Sequence, residues 1–291
     1  CSLKGNVQLY ELNANIEIRF ADVPIVGDLK YVLPELIELL STEFADQLPN
    51  LTEWWNELNV IRKDYPLGYE KPNDGLGSPE YVLERISALT GPDAYYVTGV
   101  GQHQMWGAHY IQQESPRHFV SSAGLGTMGY GVPAGMGAKV AHPESTVWVI
   151  DGDGCFQMTN QELVTCAQNN IPIKVAIINN SSLGMVRQWQ TLFYNERYSN
   201  TDLKDGHGTV RIPDFVKLGD AYGCATFRCE RDEDVDATIK AALEINDRPV
   251  VIDFTVSPHA LVWPMVPAGV SNDKIWIAKN TSPEFDREGE N

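Results

Sequence analysis

The chain has 291 residues, 43% of them apolar and 21% charged, enough to bury a sizeable core in one large domain plus a smaller segment. A formal net charge of −17 argues against nucleic acid or an anionic membrane as partner, and it requires local devices such as a metal or a helix N-terminus to hold any anionic ligand. The five cysteines are scattered without metal-site spacing, as expected of reduced thiols in a cytoplasmic protein, and neither a membrane-spanning apolar run nor a signal-peptide pattern is read.

In chain order, Asp28 is placed to cap a helix reaching Leu40, with Leu29, Val32, Leu33, Leu36, Ile37 and Leu40 expected on its buried side. Pro34 lies inside that pattern and moves the expected start toward Leu33. Pro49 to Tyr65 predicts a second helix with a stripe of Leu51, Trp54, Trp55, Leu58 and Ile61. The Gly- and Pro-rich stretch from Pro66 to Pro79 reads as a linker. Beyond it, short unalternating apolar runs at Ala94–Thr98, Thr146–Ile150, Lys174–Ile178 and Val250–Thr255 predict strands buried on both faces, with weaker candidates at Phe119–Ser121 and Ala225–Cys229. Helical patterns lie between them at Tyr81–Leu89, Tyr130–Val140, Asn160–Gln168, Met185–Tyr194, Phe215–Tyr222 and Val235–Ile245. This alternation predicts a doubly wound α/β domain with a mostly parallel sheet over residues 76–256. In such sheets ligands sit beyond the carboxyl ends of the strands.

Two of those ends carry suggestive residues. Val147-Trp148-Val149-Ile150 runs into Asp151-Gly152-Asp153-Gly154, where the glycines permit a sharp turn and close approach to a ligand. Thr159 and Glu162 then match a capping box. The next strand ends in Asn179-Asn180, so Asp153 and Asn180, 27 residues apart, each follow a strand. Both are hard oxygen ligands of the kind magnesium takes alongside phosphate oxygens and water. Either motif alone is a common turn; together, with 24 residues between Gly154 and Asn179, they point to a magnesium-bound diphosphate.

This spacing matches the signature of thiamine-diphosphate enzymes, and three further strings resemble the acetolactate (acetohydroxyacid) synthase family. They are Gly99-Val100-Gly101-Gln102-His103-Gln104-Met105-Trp106; Gly124-Leu125-Gly126-Thr127-Met128-Gly129-Tyr130-Gly131; and Leu183-Gly184-Met185-Val186-Arg187-Gln188-Trp189-Gln190 with Phe193-Tyr194-Asn195-Glu196-Arg197-Tyr198 after it. The resemblance covers nearly all of Leu76–Ser257 and weakly continues to Gly269.

The resemblance implies Asp153, Asn180 and the Ser182 backbone carbonyl as metal ligands, with Gly101, Gln102, His103, Gly126, Gly152 and Gly154 in the cofactor loops. Met128 would wedge the cofactor into its bent form, Met185 would contact the aminopyrimidine, and Trp189 would shape the pocket for the second keto acid. Arg187 stays undecided between this site and a surface ion pair, and His103 has no partner that the sequence can name. The implied activity joins pyruvate, after decarboxylation, to pyruvate or 2-ketobutyrate, the first common step of branched-chain amino-acid biosynthesis. The family's active site is shared between subunits, which implies at least a homodimer, with a regulatory small subunit as a possible partner.

The chain starts at Cys1 and not Met, and residues 1–75 resemble only the tail of a central FAD-binding domain, with Ala21–Asp28 as its last strand and turn, plus a linker. The expectation is a fragment lacking the activating glutamate, inactive or very weak alone, with a tail over residues 257–291 that folds across the active site and moves freely beyond Pro258. Two alternatives stay open: another thiamine-diphosphate enzyme of the pyruvate oxidase or decarboxylase type, and a non-catalytic magnesium- and nucleotide-binding module.

Overall fold

The computed structural model describes residues 25, 27–45, 49–203, 209 and 211–283. The chain separates into two compact units, Cys1–Pro66 and Leu67–Asn291. In the first, α1 (Leu29–Thr42) starts at the Asp28 cap and not nearer Leu33: the Asp28 carboxylate accepts from the Lys30 N–H at 2.9 Å. Pro34 is carried inside the helix without ending it. The second helix, α2, covers Thr52–Asp64. Neither helix has a buried residue. The expected strand over Ala21–Asp28 falls largely outside the described residues.

The second unit is built on six parallel strands, β1 (Tyr95–Thr98), β2 (Phe119–Ser121), β3 (Val147–Gly152), β4 (Lys174–Asn179), β5 (Ala225–Cys229) and β6 (Val250–Thr255). Their order in the sheet is β2-β1-β3-β4-β6-β5. The helices are α3 (Pro79–Thr90), α4 (Gln102–Tyr110), α5 (Gly131–Ala141), the single turn α6 (Asp153–Phe156), α7 (Glu162–Gln168), α8 (Gly184–Phe193), α9 (Phe215–Ala221) and α10 (Asp232–Glu244).

Period-two alternation divides the strands between two cores. Tyr96, Trp148, Ile150, Ala176, Ile178, Ile252 and Phe254 face α3, α4 and α10. Val97, Val147, Val149, Val175, Ile177 and Val251 face α5, α7 and α9. Every residue of β3 and β4 is buried, which is why these strands read as unbroken apolar runs.

Two details depart from expectation. The Thr159 hydroxyl does not cap a helix; it donates to the Gly129 carbonyl at 2.8 Å, and α7 begins only at Glu162, after Gln161 and without a side-chain cap. The segment after β6 does not leave the fold at Pro258: Val262 is fully buried, Met265 is 8% exposed, and Met265 exchanges backbone hydrogen bonds with Trp276 at 2.9 and 2.8 Å.

Candidate active site

The chain leaves β1 toward β2 on one side and β3 toward β4 on the other, so β1 and β3 flank a topological switch point, where doubly wound sheets bind ligands. A cleft of about 490 Å³ opens there, lined by the loops that follow β1, β3 and β4. Register places the key residues: Gly152 pairs with Ile178, so Asp153 lies one residue past that pair and Asn180 two.

Asp153 opens α6 and is 1% exposed. Its Oδ1 accepts from the Gly154 N–H at 2.9 Å, while its Oδ2 is buried without a hydrogen-bond partner. Burial pushes this carboxyl up to about 7, against the pull of the Gly154 and Ser181 amides. Uncompensated buried carboxylates are costly, and a cation at Oδ2 would offset that cost.

The two asparagines divide their work. Asn179 shapes the turn: its Nδ2 donates to Asp253 Oδ1 at 2.9 Å, and its Oδ1 accepts from the N–H of Ser181, a residue held at φ 56°. Asn180 faces the cleft and is 7% exposed. Its Oδ1 accepts from the Ser182 N–H at 3.2 Å, and its Nδ2 donates to Gln102 Oε1 at 3.0 Å. Backbone bonds from Leu183 to Thr201 and from Leu203 to Ser181 hold this loop against the strand-like segment beyond α8.

At the cleft lies a buried trio not foreseen from sequence: Asp151, His103 and Cys155. His103 Nε2 is 3.5 Å from Asp151 Oδ1. Burial pushes Asp151 up to about 7, His103 down to about 3 and Cys155 up to about 12, favouring the neutral form of all three. The Cys155 sulfur accepts from the amides of Val100 at 3.4 Å and Gly129 at 3.0 Å, tying the loop after β1 and the loop before α5 to the β3 turn. A Cβ on Gly99 would overlap both the Asp151 carboxylate and the Cys155 thiol, so only glycine fits there. The sequence signal for the trio was the immediate adjacency of Asp151 and Cys155 to Gly152-Asp153-Gly154.

The cleft gathers Gly101, Gln102, His103, Met128, Gly152, Asp153, Gly154, Asn180, Ser182 and Met185. Gly126 and Trp189 are not among its lining residues; Trp189 is 45% exposed on α8. Arg187 resolves as an anchor: it donates to Asp202 and to the Pro258 carbonyl, both at 2.9 Å, and stacks over Tyr198 at 4.6 Å. Gln188, which the sequence left unnoticed, is 1% exposed and bonds to Gln102.

A family model described as thiamine pyrophosphate enzyme, C-terminal TPP binding domain, matches residues 99–254, from the loop after β1 to the end of β6. The chain belongs to that family. Known relatives sharpen the resemblance read from the motifs. The acetolactate synthase of Mycobacterium leprae is 58% identical over 94% of this chain and 43% of its own length. The acetolactate synthase large subunit of Corynebacterium glutamicum is 51% identical over 93% of this chain and 43% of its own. The isozyme 3 large subunit of Escherichia coli is 40% identical over 89% and 44%. The chain thus spans less than half the length of each of these relatives. The doubly wound sheet expected from the alternation of strands and helices agrees with the family, and thiamine diphosphate is the cofactor class of its TPP-binding domain. Among the described residues no helix is long and apolar enough to cross a membrane.

Proposed function

We propose that the chain is the diphosphate- and magnesium-binding part of an acetolactate synthase. The observation carrying this reading is the partnerless, buried Oδ2 of Asp153 in a cleft shared with Asn180 and Ser182. This donor set suits a hard divalent cation that also takes diphosphate oxygens. The Asp153 and Asn180 side chains and the Ser182 carbonyl would hold Mg²⁺. Gly101, Gln102, His103, Gly152 and Gly154 would surround the diphosphate. Met128 and Met185 present the apolar part of the cleft, suited to exclude water from the ring end. Gly126 would close the neighbouring loop, and Trp189 would border the second keto acid once further chain covers α8.

When bound, thiamine diphosphate supplies the electron sink for decarboxylating pyruvate and passing the two-carbon unit to pyruvate or 2-ketobutyrate. The chain's own task is to neutralise, orient and desolvate that group. Offsetting the diphosphate charge falls to the cation, because the net charge of −17 opposes it. The names of the relatives support acetolactate as product and, for those called large subunits, a small-subunit partner. On the same reading residues 1–75 belong to a central FAD-binding domain and linker, residues 76–256 to the thiamine-diphosphate domain, and residues 257–291 to a segment over the site, in a cytoplasmic homo-oligomer whose activating glutamate lies outside this chain.

Calorimetry with thiamine diphosphate and with ADP, each with Mg²⁺, tests the site. Thiamine diphosphate is expected to bind in preference to ADP, and Asp153→Ala to abolish the binding. Equal affinity for ADP would favour the nucleotide-module reading. With the complete enzyme, acetolactate as product separates this activity from the acetyl phosphate or aldehyde of the other thiamine-diphosphate enzymes.

A further inference from the structure

We infer that Gln102 and Gln188 form a polarity relay that dictates which atom of the Asn180 amide faces the cation pocket, with the Val262 backbone as its origin. The inference rests on the reading of Asn180 as a cation ligand. The relay runs through four groups, all buried. Gln188 is 1% exposed, Gln102 4% and Asn180 7%, and Val262 is fully enclosed.

The direction of each hydrogen bond follows from the one before it. The Val262 N–H can only donate and its carbonyl only accept. The N–H donates to Gln188 Oε1 at 2.9 Å, and Gln188 Nε2 donates to the carbonyl at 3.2 Å. Gln188 therefore has a fixed polarity, with Met265 Sδ as a further contact of its Nε2 at 3.3 Å. Its Oε1 also accepts from Gln102 Nε2 at 2.8 Å, and that Nε2 donates to the Ala260 carbonyl at 3.2 Å. Gln102 must then turn its Oε1 toward Asn180, which answers with Nδ2 at 3.0 Å. Asn180 Oδ1 is left on the opposite edge of its amide, where it accepts from the Ser182 N–H at 3.2 Å and from the Ser182 hydroxyl at 3.3 Å, a rotatable donor that a cation would displace. A flipped Asn180 would present two N–H bonds to a cation and an oxygen to Gln102 Oε1, unfavourable at both ends. Gly184 roofs the junction: a Cβ there would overlap Gln102 Oε1 and lie 2.7 Å from Asn180 Nδ2.

Gln188 is thus a positioning residue, outside the lining of the cleft, and the segment after β6 sets the orientation of a proposed ligand through it. The test is Mn²⁺ affinity by electron paramagnetic resonance on the full chain with thiamine diphosphate present, alongside thermal unfolding. Gln188→Met removes the relay at similar volume and is expected to weaken Mn²⁺ by about tenfold, the scale of an outer-shell partner of a metal ligand. Gln188→Glu keeps the acceptor for both Val262 N–H and Gln102 but loses the donor to the Val262 carbonyl. It should lower the unfolding midpoint as Gln188→Met does, yet hold Mn²⁺ like the parent chain.

Asn180→Asp gives an independent reading. A carboxylate is the better cation ligand, but here it must meet the fixed Gln102 Oε1, so Mn²⁺ binding is expected to weaken. Adding Gln188→Met leaves the Ala260 carbonyl as the one remaining acceptor of Gln102 Nε2, which eases the turn of Gln102 toward donation, and the double variant should bind tighter than either single one. Tighter binding by Asn180→Asp alone, additive losses in the double variant, or parent-like affinity in Gln188→Met would each overturn the relay while Asp153→Ala still fails to bind. Parent-like affinity in Asp153→Ala would overturn the cation site itself and the relay with it.

Discussion

Asp153 shows how a site can be stored as local instability. Its carboxyl is 1% exposed, one oxygen has no partner, and burial raises it to about 7, so the metal-free fold either takes up a proton there or bears an uncompensated charge. Asp153→Asn keeps the shape and the acceptor for the Gly154 N–H while removing the charge. The metal-free variant should therefore be the more stable one, its thermal midpoint higher by about 2–4 °C, equivalent to about 1 kcal/mol in a chain of this size. The order should reverse when Mg²⁺ and thiamine diphosphate are added, because ligand binding stabilises only the parent. Differential scanning calorimetry under both conditions reads the crossing; a variant less stable than the parent without ligand would show that Oδ2 is already compensated. Asp153 and Asn180 were legible because their residue types and their placement after strands both carried signal. The trio at the cleft was not: Asp151, His103 and Cys155 matter through burial and mutual distance, which a sequence does not print.

At the scale of elements, the central strands were legible because complete burial leaves continuous apolar runs; Phe119–Ser121, Ala225–Cys229 and Val250–Thr255 coincide with the expected ranges and the other three strands match to within two residues at either end. Helix α4 was not, since its buried face includes Gln102 and His103, polar residues turned inward to serve the cleft. Gln188 was hidden on α8 for the same reason, with Trp189 beside it 45% exposed. Helix α3 carries a further inversion. Glu80, in its first turn, is 7% exposed, and burial first and Asp232 second raise its carboxyl to about 7. Asp232 is itself committed to Ser78, accepting from its N–H at 2.8 Å and its hydroxyl at 3.1 Å, and Arg85 grips Asp236 with bonds of 2.6 and 2.8 Å, so α3 and α10 are tied together. The raised value means that folded Glu80 binds a proton more tightly than unfolded Glu80. Its contribution is therefore complete below the ordinary value of 4.5 and is lost as pH rises through about 7. Glu80→Gln should leave stability nearly unchanged at pH 5 and raise it at pH 8 by on the order of 2 kcal/mol. Urea unfolding of the metal-free chain across that range, parent minus variant, isolates Glu80 from the other raised carboxyls; a difference independent of pH would count against it.

For the whole molecule, the two cores lie entirely within Leu67–Asn291, running from Val82 to Val262 and from Val97 to Val251. The first unit contributes no buried residue from α1 or α2 and instead exposes apolar surface: Ile37 at 61%, Trp54 at 54% and Trp55 at 48%. Several large exposed apolar side chains on two helices fit a contact site, and here the relatives extend over more than twice the length of this chain. Stability should then reside almost wholly in the second unit and self-association in the first. A chain shortened to Leu67–Asn291 is expected to keep the urea midpoint of the parent and its affinity for thiamine diphosphate with Mg²⁺, since the strands, the cleft and the amide relay all remain. It should lose dye binding to exposed apolar surface and sediment as a monomer where the parent associates. Sedimentation velocity and dye fluorescence on the two chains decide it. A shortened chain that unfolds earlier would assign residues 29–64 a stabilising role that the exposure of both helices contradicts. Retained association would move the contact onto the second unit, where Val186, Trp189 and Phe193 on α8 are large exposed side chains.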